Sequence, residues 1–463
     1  MARTEAQSLR QRLGSGSPEA RFWDRATSAP IADLRRGTSF GGRLGDLADR
    51  SVLIATSSQL TTALALIELD DVARRVLVLP PDADPAHLAA LIAGAEIDAI
   101  VLDRDTPART ASELPVRVLC TPEIVATERL PAARRATEWV LLTSGTTGVP
   151  KMVAHSLGAL TAAIKTSTSD EPVVWATFYD IRRYGGLQIF LRAVLGGASL
   201  VLSSAGEPIA EHLDRLGRRG VTHLSGTPSH WRRALMSAAV GKISPRYIRL
   251  SGEIADQAVL DSLRHTFPNA SIGHAYASTE AGVAFEVTDG RAGFPISFVG
   301  EARDGVELKV ADGSLRIRSP RAASGYAGSD APLADMDGFI DTGDMLELCG
   351  NRYFFTGRRG GIINIGGLKV HPEEIEAVIN RHPQVRMSLV RPKRSPVTGS
   401  IVIADVVLKS GDDITGGAAA GEVKGDILKH CREALPRHKV PAAISFVAAL
   451  EVAASGKLAR RHG

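Results

Sequence analysis

The chain has 463 residues, too many for a single compact hydrophobic core, so two or more domains are expected. Its 44% hydrophobic and 23% charged residues are typical of a folded globular protein, which excludes a disordered or fibrous chain. The 55 basic and 51 acidic residues nearly cancel, and the net charge of +4 therefore indicates neither nucleic acid nor an anionic membrane as a partner.

The three cysteines, Cys120, Cys349 and Cys431, are far apart in the sequence and form no C-x-x-C pair. They therefore indicate neither a disulfide framework nor a zinc site. The first 22 residues lack the apolar core of a signal peptide, and no apolar run reaches the roughly 18 residues of a membrane span. A cytoplasmic protein is expected, and nothing in the sequence indicates its oligomeric state.

From residue 51 onward, short apolar runs alternate with amphipathic segments. The predicted strands are SVLIA, RRVLVL and IDAIVL, then VVWATFY, ASLVLSS, THLSG and YIRLSGE. Helical segments such as PAHLAALIAGA, AEHLDRLGRRG and DQAVLDSLRHTF separate them. This alternation predicts open, mostly parallel α/β sheets whose strands are apolar throughout because helices cover both faces.

The pattern changes near residue 297. FVGEARDGVELKVADGSLRIRS and GFIDTGDMLELCGNRYFFTG alternate apolar and polar residues around DG and GN turns, which predicts a small antiparallel β section. A last α+β block contains GIINIGG, the helix PEEIEAVINRH with Pro372 in its first turn, IVIADVVLK, the helix GDILKHCREAL and ISFVAAL. Residues 410–421 are expected to be a Gly/Ala-rich loop.

The stretch TSGTTGVPK at residues 143–151 concentrates four hydroxyls, two glycines and one lysine. Glycines let the backbone approach a ligand, hydroxyls donate hydrogen bonds, and a lysine adds a charge that suits phosphate. The glycine spacing is not that of the Walker loop. A polyphosphate cradle and an exposed loop without function both fit this stretch by itself.

Five further stretches follow in order: SGE at 251–253, HAYASTEAG at 274–282, DTGD at 341–344, GRRGGIINIGGLKVHPEEIE at 357–376 and SGKLARR at 455–461. Together with TSGTTGVPK they resemble the adenylate-forming superfamily, which includes acyl-CoA synthetases, peptide-synthetase adenylation domains and luciferases. The resemblance covers roughly residues 137 to 463. The N-terminal part shares only the general α/β pattern and looks shorter than is usual in the family.

The resemblance implies a fold and a reaction. The fold is a large N-terminal domain over residues 1–357 and a small, mobile C-terminal α+β domain over residues 361–463, with a hinge at about 358–361. In the reaction, a carboxylate attacks the α-phosphate of ATP, pyrophosphate leaves, and a thiol then takes the acyl group from the acyl-adenylate. ATP and Mg²⁺ are implied, with CoA as the acceptor.

The same resemblance implies roles for individual residues. Lys457, Thr279 and Glu280 would be catalytic: Lys457 would reach the reacting carboxylate, Thr279 the α-phosphate, and Glu280 would bind the magnesium ion. The implied nucleotide-binding residues are Thr143, Ser144, Gly145, Thr146, Thr147, Gly148 and Lys151 at the β- and γ-phosphates, Ser251, Gly252, Glu253 and Tyr276 at adenine, Asp344 at the ribose, and Arg358 at the ribose or a phosphate. Outside these motifs, Tyr276 would be interpreted as ordinary packing, Asp344 as a turn residue and Lys457 as a surface charge.

In the small domain, Gly366 and Gly367 would line a tunnel for the thiol's pantetheine arm. The family usually has aspartate at the hinge, where this chain has Gly360. Glycine permits rotation but does not fix its end points.

The acid pocket is expected around WATFYDIRRYGGLQIFLRA, which lacks the H-x-x-G pattern of many CoA ligases. Asp180 would bind a substrate ammonium, as in amino-acid adenylation domains, or it would cap the next helix or neutralise Arg182 or Arg183. The other predicted pocket residues are Tyr184, Gly186, Leu187 and His274. A wall of this mixed polar and aromatic character favours a small aromatic or hydroxylated acid.

No carrier domain follows Lys457, so the acceptor thiol is expected to come from CoA or from a separate carrier protein. GGLKVHPEEIE is similar to the corresponding stretch of acyl-CoA synthetases, which favours CoA. The alternative is a stand-alone adenylation enzyme that loads an amino or aryl acid onto a carrier protein. A third hypothesis, a non-catalytic nucleotide-binding paralogue, is opposed by the intact Lys151, Glu280, Asp344 and Lys457.

Overall fold

The computed structural model contains two large, mostly parallel sheets. The residues that the structure describes are 8–13, 17–106, 113–127, 136–143, 149–165, 171–204, 206–365, 368–395, 399–409, 418–453 and 456–460. In sheet order, the eight-stranded sheet consists of β16 (Gly282–Val287), β15 (Ser271–Ser278), β14 (Tyr247–Ser251), β13 (His223–Gly226), β11 (Val174–Thr177), β12 (Ser199–Val201), β1 (Arg21–Trp23) and β2 (Ser28–Pro30). The seven-stranded sheet consists of β20 (Gly325–Tyr326), β10 (Lys151–Ser156), β9 (Glu138–Thr143), β5 (Arg75–Val78), β4 (Ser51–Ile54), β6 (Ala99–Leu102) and β7 (Val116–Leu119).

The remaining sheets are smaller. An antiparallel five-stranded sheet contains β17 (Phe294–Pro295), β22 (Arg352–Arg358), β21 (Ile340–Cys349), β19 (Ser314–Arg318) and β18 (Glu307–Ala311). The C-terminal part has the hairpin β23 (Ile363–Ile365) and β24 (Leu368–Val370), and a sheet of β25 (Val385–Ser395), β26 (Gly399–Leu408) and β27 (Ala443–Phe446). A short pair, β3 (Gly37–Thr38) and β8 (Val125–Ala126), lies near the N-terminus.

The described residues also form helices between these strands. They are α1 (Leu9–Arg12), α2 (Gln59–Leu69), α3 (Leu88–Gly94), α4 (Leu157–Thr161), α5 (Tyr184–Leu195), α6 (Ile209–Arg218), α7 (Pro228–Met236), α8 (Gln257–Thr266), α9 (Pro372–Ile379) and α10 (Ala418–Ala434). The first turns of two of these helices illustrate how local side chains determine where a helix begins. The Asp256 side chain caps α8 by accepting the Val259 N–H, and Pro372 occupies the first turn of α9.

Hydrophobic clusters hold these layers together. The largest cluster lies between the two parallel sheets and contains the apolar faces of α2 and α5, while a second one lies between the eight-stranded sheet and helices α7 and α8. A separate cluster from Ile363 to Ile444 forms the core of the C-terminal part. Separate cores agree with the length argument, because one core could not enclose the whole chain.

The predicted α/β class, with a small antiparallel section and a C-terminal α+β part, is confirmed. One boundary was wrong: helix α10 begins at Ala418, inside the expected loop 410–421. Alanines at 418–420 have high helix propensity, which outweighs the glycines around them. The three thiols are free. None of the helices formed by the described residues combines the length and apolar character that a membrane crossing requires.

Candidate active site

The motif residues gather at the carboxyl ends of the parallel strands. Thr143 ends β9 and pairs in register with Lys151, the first residue of β10. The Nζ atom of Lys151 lies 5.1 Å from the centre of the Tyr326 ring. Burial raises the pKa of Tyr326, and the negative charge of Glu280 raises it further. Lys151 and Glu280 therefore flank the same tyrosine, as neighbours in one site would.

Residues 144–148 of the TSGTTGVPK stretch, Ser144, Gly145, Thr146, Thr147 and Gly148, lie outside the described residues. The same holds for Gly366 and Gly367. The predicted roles of these residues stay predictions.

Thr279 and Glu280 form the turn between β15 and β16. The turn is held at both ends, since the Ala281 N–H donates to Ser278 Oγ at 3.0 Å and the Ala323 N–H donates to the Glu280 carbonyl at 2.9 Å. Next to the Thr279 backbone lies the buried His155 ring. Burial lowers the pKa of His155 to about 4, so the ring is neutral at pH 7.

Tyr276, Asp344 and Arg358 form a continuous chain of contacts. The Tyr276 hydroxyl donates to Asp344 Oδ2, and Arg358 Nε donates to Asp344 Oδ1 at 2.9 Å. The Tyr276 ring lies nearly parallel to Phe355, with centres 5.1 Å apart and an angle of 8°. Burial and the Asp344 charge raise the pKa of Tyr276, while Asp344 raises the pKa of Arg358. The predicted adenine and ribose residues thus touch each other across three different strands.

Lys457 reaches this cluster from the C-terminal tail. A Cβ atom on Gly252 would lie 3.6 Å from Lys457 Cε. Protein atoms surround the ammonium group and lower the pKa of Lys457, and the charge of Arg358 lowers it further while Glu253 and Asp344 oppose this. The residue as a whole is nevertheless exposed. Residues separated by some 200 positions in the sequence therefore meet at one point.

The tail is fastened to the N-terminal part on both sides of Lys457. Glu253 Oε1 accepts the Leu458 N–H at 2.9 Å, and Oε2 accepts the Ser229 N–H at 2.9 Å. The Thr227 hydroxyl donates to the carbonyl of Gly456. Both oxygens of Glu253 are thus bound, and its predicted contact with adenine stays a prediction.

Gly456 explains the glycine of the SGK motif. Its φ of +78° is in the left-handed region, and a Cβ atom there would collide with the His230 ring. The protein atoms packed around the partly buried His230 ring lower its pKa to about 3 and keep the ring neutral. Thr227, Ser229 and His230 were not predicted as site residues. A Thr-Pro pair such as Thr227-Pro228 is typical of a helix start, but nothing local in the sequence links helix α7 to the tail.

The Asp180 carboxylate forms an ion pair with Arg182. Its carboxylate accepts Arg182 Nε at 2.8 Å and Nη2 at 2.6 Å. Arg182 is 2% exposed and also donates to the carbonyls of Thr56 and Ser57. The N-cap of α5 is Arg183, so Asp180 does not cap that helix. Of the alternatives from the sequence, the geometry favours neutralisation of Arg182.

The other predicted pocket residues differ in position. Tyr184 is buried with its ring centre 5.8 Å from that of His155, and Leu187 belongs to the main core. A side chain at Gly186 would collide with the Asp180 carbonyl, so this glycine permits close packing. His274 Nε2 lies 3.0 Å from the Arg291 carbonyl, and the residue pairs with Leu250 on the sheet face away from α5. This geometry does not support a place for His274 in the pocket beside Tyr184.

Comparison with known proteins adds the family. Residues 51–327 match the AMP-binding enzyme family, and residues 374–457 match the AMP-binding enzyme C-terminal domain. The chain belongs to the AMP-binding enzyme family. The predicted resemblance to adenylate-forming enzymes is confirmed.

Among its relatives, this AMP-binding enzyme is 26% identical over 388 residues to a 2-succinylbenzoate–CoA ligase of Salmonella typhimurium, covering 80% of this chain and 79% of that protein. It is 25% identical over 350 residues to 4-coumarate–CoA ligase 3 of Arabidopsis thaliana, covering 69% of this chain and 61% of that protein. The crystal structure of an anthranilate–CoA ligase with anthranoyl-AMP superposes with a TM-score of 0.78 at 16% identity, covering 98% of this chain and 95% of the other. That structure shows the same fold.

Proposed function

We propose that this enzyme activates a small aromatic carboxylic acid with ATP and transfers the acyl group to CoA. In the first step a carboxylate oxygen bonds to the α-phosphorus and the bond to pyrophosphate breaks. In the second, the CoA sulfur bonds to the carbonyl carbon, AMP leaves, and the thiol proton passes to solvent. The observation that best supports this proposal is Lys457, held by the tail against Gly252 beside Arg358 and Asp344.

Each of the predicted site residues would have a separate role in the first step, the formation of the acyl-adenylate. Lys457 would neutralise charge where the two anions approach, which is the main electrostatic obstacle to the reaction. Asp344 would accept the ribose hydroxyls, with Arg358 beside it, and Tyr276 would lie along adenine. The bonds of Asp344 to Tyr276 and Arg358 hold its carboxylate in place before the nucleotide binds. Lys151, with Thr143 and residues 144–148, would bind the β- and γ-phosphates.

A magnesium ion fits the donor set at Glu280. In the part of the chain that the structure describes, no group of three or more His, Cys, Asp or Glu side chains could hold a metal by itself. Mg²⁺ is commonly bound by one or two carboxylates together with substrate phosphates and water, so a single carboxylate suffices. When bound, the ion would offset negative charge on the phosphates. Glu280 would orient it from the turn that also presents Thr279.

The acid and the acceptor are inferred from the pocket and from the relatives. Tyr184 and the neutral His155 offer an aromatic wall, and two relatives are named for the aromatic acids 2-succinylbenzoate and 4-coumarate. These relatives are CoA ligases, which favours CoA as the acceptor. Loading of an amino or aryl acid onto a carrier protein stays the alternative. The bidentate pairing of Asp180 with Arg182 favours an acid without an ammonium group.

The domain division and the cytoplasmic location also stay proposals. Strand β22 ends at Arg358, and residues 359–361 form a single 3₁₀ turn, a break between elements that supports a hinge at this point. Gly360 has no left-handed φ, and a Cβ atom on it would meet nothing within 4 Å. The aspartate usual in the family would therefore fit this conformation, and glycine here serves rotation rather than local geometry.

Exchange between ATP and labelled pyrophosphate, measured over a panel of aromatic acids, tests the first step. Thioester formation with CoA, and with a phosphopantetheinylated carrier protein in parallel, identifies the acceptor. We expect exchange with at least one aromatic acid and thioester formation with CoA. No exchange with any acid would leave the non-catalytic paralogue as the better hypothesis.

A further inference from the structure

Residues 456–460, which we call the tail segment, carry Lys457. The Lys457 carbonyl accepts the Ala453 N–H at 2.8 Å, and the Ala459 N–H donates to the Glu451 carbonyl at 2.9 Å. An isolated pairing of two short strands is marginally stable at best in water. The position of the lysine ammonium therefore depends on the bonds that the tail segment makes with the rest of the protein.

Arg460 makes the strongest of these bonds, three residues after Lys457. Its Nη1 donates to Glu376 Oε1 at 2.9 Å, and its Nη2 donates to Glu376 Oε2 at 2.7 Å. Two parallel hydrogen bonds between a guanidinium and a carboxylate combine charge with a fixed geometry. The end of the tail segment is thus held in one orientation on helix α9, which contains Glu376.

The Glu376 carboxylate is itself fixed in place. It is buried, and its Oε1 also accepts the Val390 N–H of strand β25 at 2.8 Å. Val390 and the α9 residues Ile375 and Ile379 belong to the hydrophobic core of the C-terminal part. Arg460 therefore ties the tail segment to a packed core.

This ion pair differs from an ordinary surface pair. The Glu376 side chain is 9% exposed and that of Arg460 is 32% exposed. Burial raises the pKa of Glu376, and the positive charge of Arg460 opposes this rise. Exposed pairs contribute little to stability, whereas loss of one partner from a buried pair leaves an uncompensated charge. Arg460 is therefore required here, either to stabilise the fold alone or also to hold Lys457.

The bonds of Arg460 and of Glu253 to the tail segment join different parts of the chain. Arg460 and Glu376 both follow the proposed hinge at residues 358–361, so their bond can persist when the C-terminal part rotates. The bond from the Leu458 N–H to Glu253 crosses between the two parts and has to break in that rotation. Arg460 thus keeps the shape of the tail segment, and Glu253 determines where the segment docks.

We propose that Arg460 is a positioning residue for adenylate formation, which holds the tail segment through Glu376 so that Lys457 reaches the reacting groups in one fixed place. This inference rests on the proposed function and adds a residue to its first step. A displacement of about 1 Å at a reacting centre can cost about 100-fold in rate. Thiol transfer does not use the charge of Lys457 in the proposed reaction, and it should not depend on Arg460.

The test compares Arg460→Met with the double variant Glu376→Gln/Arg460→Met. The single variant leaves a buried carboxylate unpaired, so a loss of stability accompanies any loss of position. The double variant also removes this charge, and the glutamine oxygen still accepts the Val390 N–H. Its melting temperature should therefore return close to that of the wild type, although the tail segment stays unattached.

The rates of the two half-reactions show which role Arg460 has. With an acid that supports pyrophosphate exchange and saturating ATP, single-turnover adenylate formation in the double variant should stay about 100-fold below wild type. The KM for ATP and the rate of thioester formation from preformed adenylate should stay within about twofold. Arg391→Met breaks a more exposed bidentate pair with Asp405 in the same part of the chain, and this matched control should behave as wild type.

Hydrogen–deuterium exchange of the backbone amides gives a measurement that does not require the reaction. The Leu458 and Ala459 amides should exchange at least about tenfold faster in the double variant than in wild type, while the amides of α9 keep their protection. If the double variant does not fold, Arg460→Lys keeps the charge without the two parallel bonds. Adenylate formation should then fall at least about fivefold, and an unchanged rate would overturn the positioning role.

The outcomes separate this inference from the proposed function. Wild-type adenylate formation in a stable double variant, or an equal loss in thioester formation, would overturn the positioning role and leave the proposed function intact. Unchanged protection of the tail amides would overturn the anchoring by Arg460. If no acid supported pyrophosphate exchange in the wild type but the tail amides lost protection in the double variant, the proposed function would fail and the anchoring would stand. Neither pyrophosphate exchange nor a change in amide protection would refute both.

Discussion

Replacing Glu253 by glutamine tests how Lys457 is positioned. The carboxylate accepts two backbone N–H groups at 2.9 Å, one from Ser229 on α7 and one from Leu458 in the tail. Glutamine has a single oxygen, so one N–H would face the NH₂ group and lose its acceptor. A hydrogen bond to a charged group contributes about 1.5 to 3 kcal/mol. A tail loosened by this amount corresponds to a fall of about 10- to 100-fold in the adenylation rate.

The assay separates positioning from nucleotide binding. Single-turnover formation of the acyl-adenylate at saturating ATP should slow by that factor, and the KM for ATP should stay within about twofold, since positioning affects the transition state rather than ATP binding. Thioester formation from preformed adenylate should be unchanged. Glu211→Gln, at an exposed carboxylate paired with Arg25, is the matched control and should behave as wild type. A raised KM for ATP with an unchanged single-turnover rate would refute the positioning argument and favour the contact of Glu253 with adenine.

Four other predictions follow from the same geometry. We predict that Lys457→Ala lowers adenylate formation by orders of magnitude with ATP binding nearly intact; a single-turnover loss below tenfold would remove this lysine from the catalytic residues. Glu280→Gln should raise the magnesium concentration needed for pyrophosphate release, because the amide lacks the charge that binds the ion, and an unchanged titration would exclude contact with the metal. Asp180→Asn should destabilise the fold by about 3 kcal/mol, measured by urea unfolding, because it breaks a pair with a buried arginine; a loss confined to amino-acid substrates would restore the ammonium role. Burial raises the pKa of Asp70 to about 7, so the folded state keeps a proton that the unfolded chain releases above about pH 4, and stability falls between pH 4 and 7. Asp70→Asn should therefore gain up to about 4 kcal/mol over wild type at pH 8 and nothing at pH 3.5, and equal differences at both pH values would contradict this.

Much of the protein follows from local sequence patterns. The alternation of apolar runs with amphipathic segments predicted the parallel strands from Ser51 to Ser251, because the period of the pattern reflects the geometry of a helix or strand. The TSGTTGVPK and SGK stretches indicated the family, since glycines, hydroxyls and a lysine at fixed spacing express a chemical need within a few residues. Asp312-Gly313 marked a hairpin for the same local reason.

The sequence could not predict which side chains contact each other. Asp180 was compatible with an ammonium, a cap or an arginine, and only the path of the chain past Thr56 and Ser57 selected Arg182. The place of His274 depended on which face of β15 it occupies, which a shift of one residue in register would reverse.

The contacts that position the predicted site residues join parts of the chain that are distant in sequence. Glu253 meets Leu458 across 205 positions, and Thr227 meets Gly456 across 229 positions. Local propensities specify the backbone of each element, whereas these pairs depend on strand order, register and the docking of the tail. Burial then decides their chemistry, because it lowers the pKa of His230, the ring beside Gly456, to about 3. The sequence by itself therefore determined the family and the reacting motifs, and the tertiary structure decided how Lys457 is held and which partner Asp180 takes.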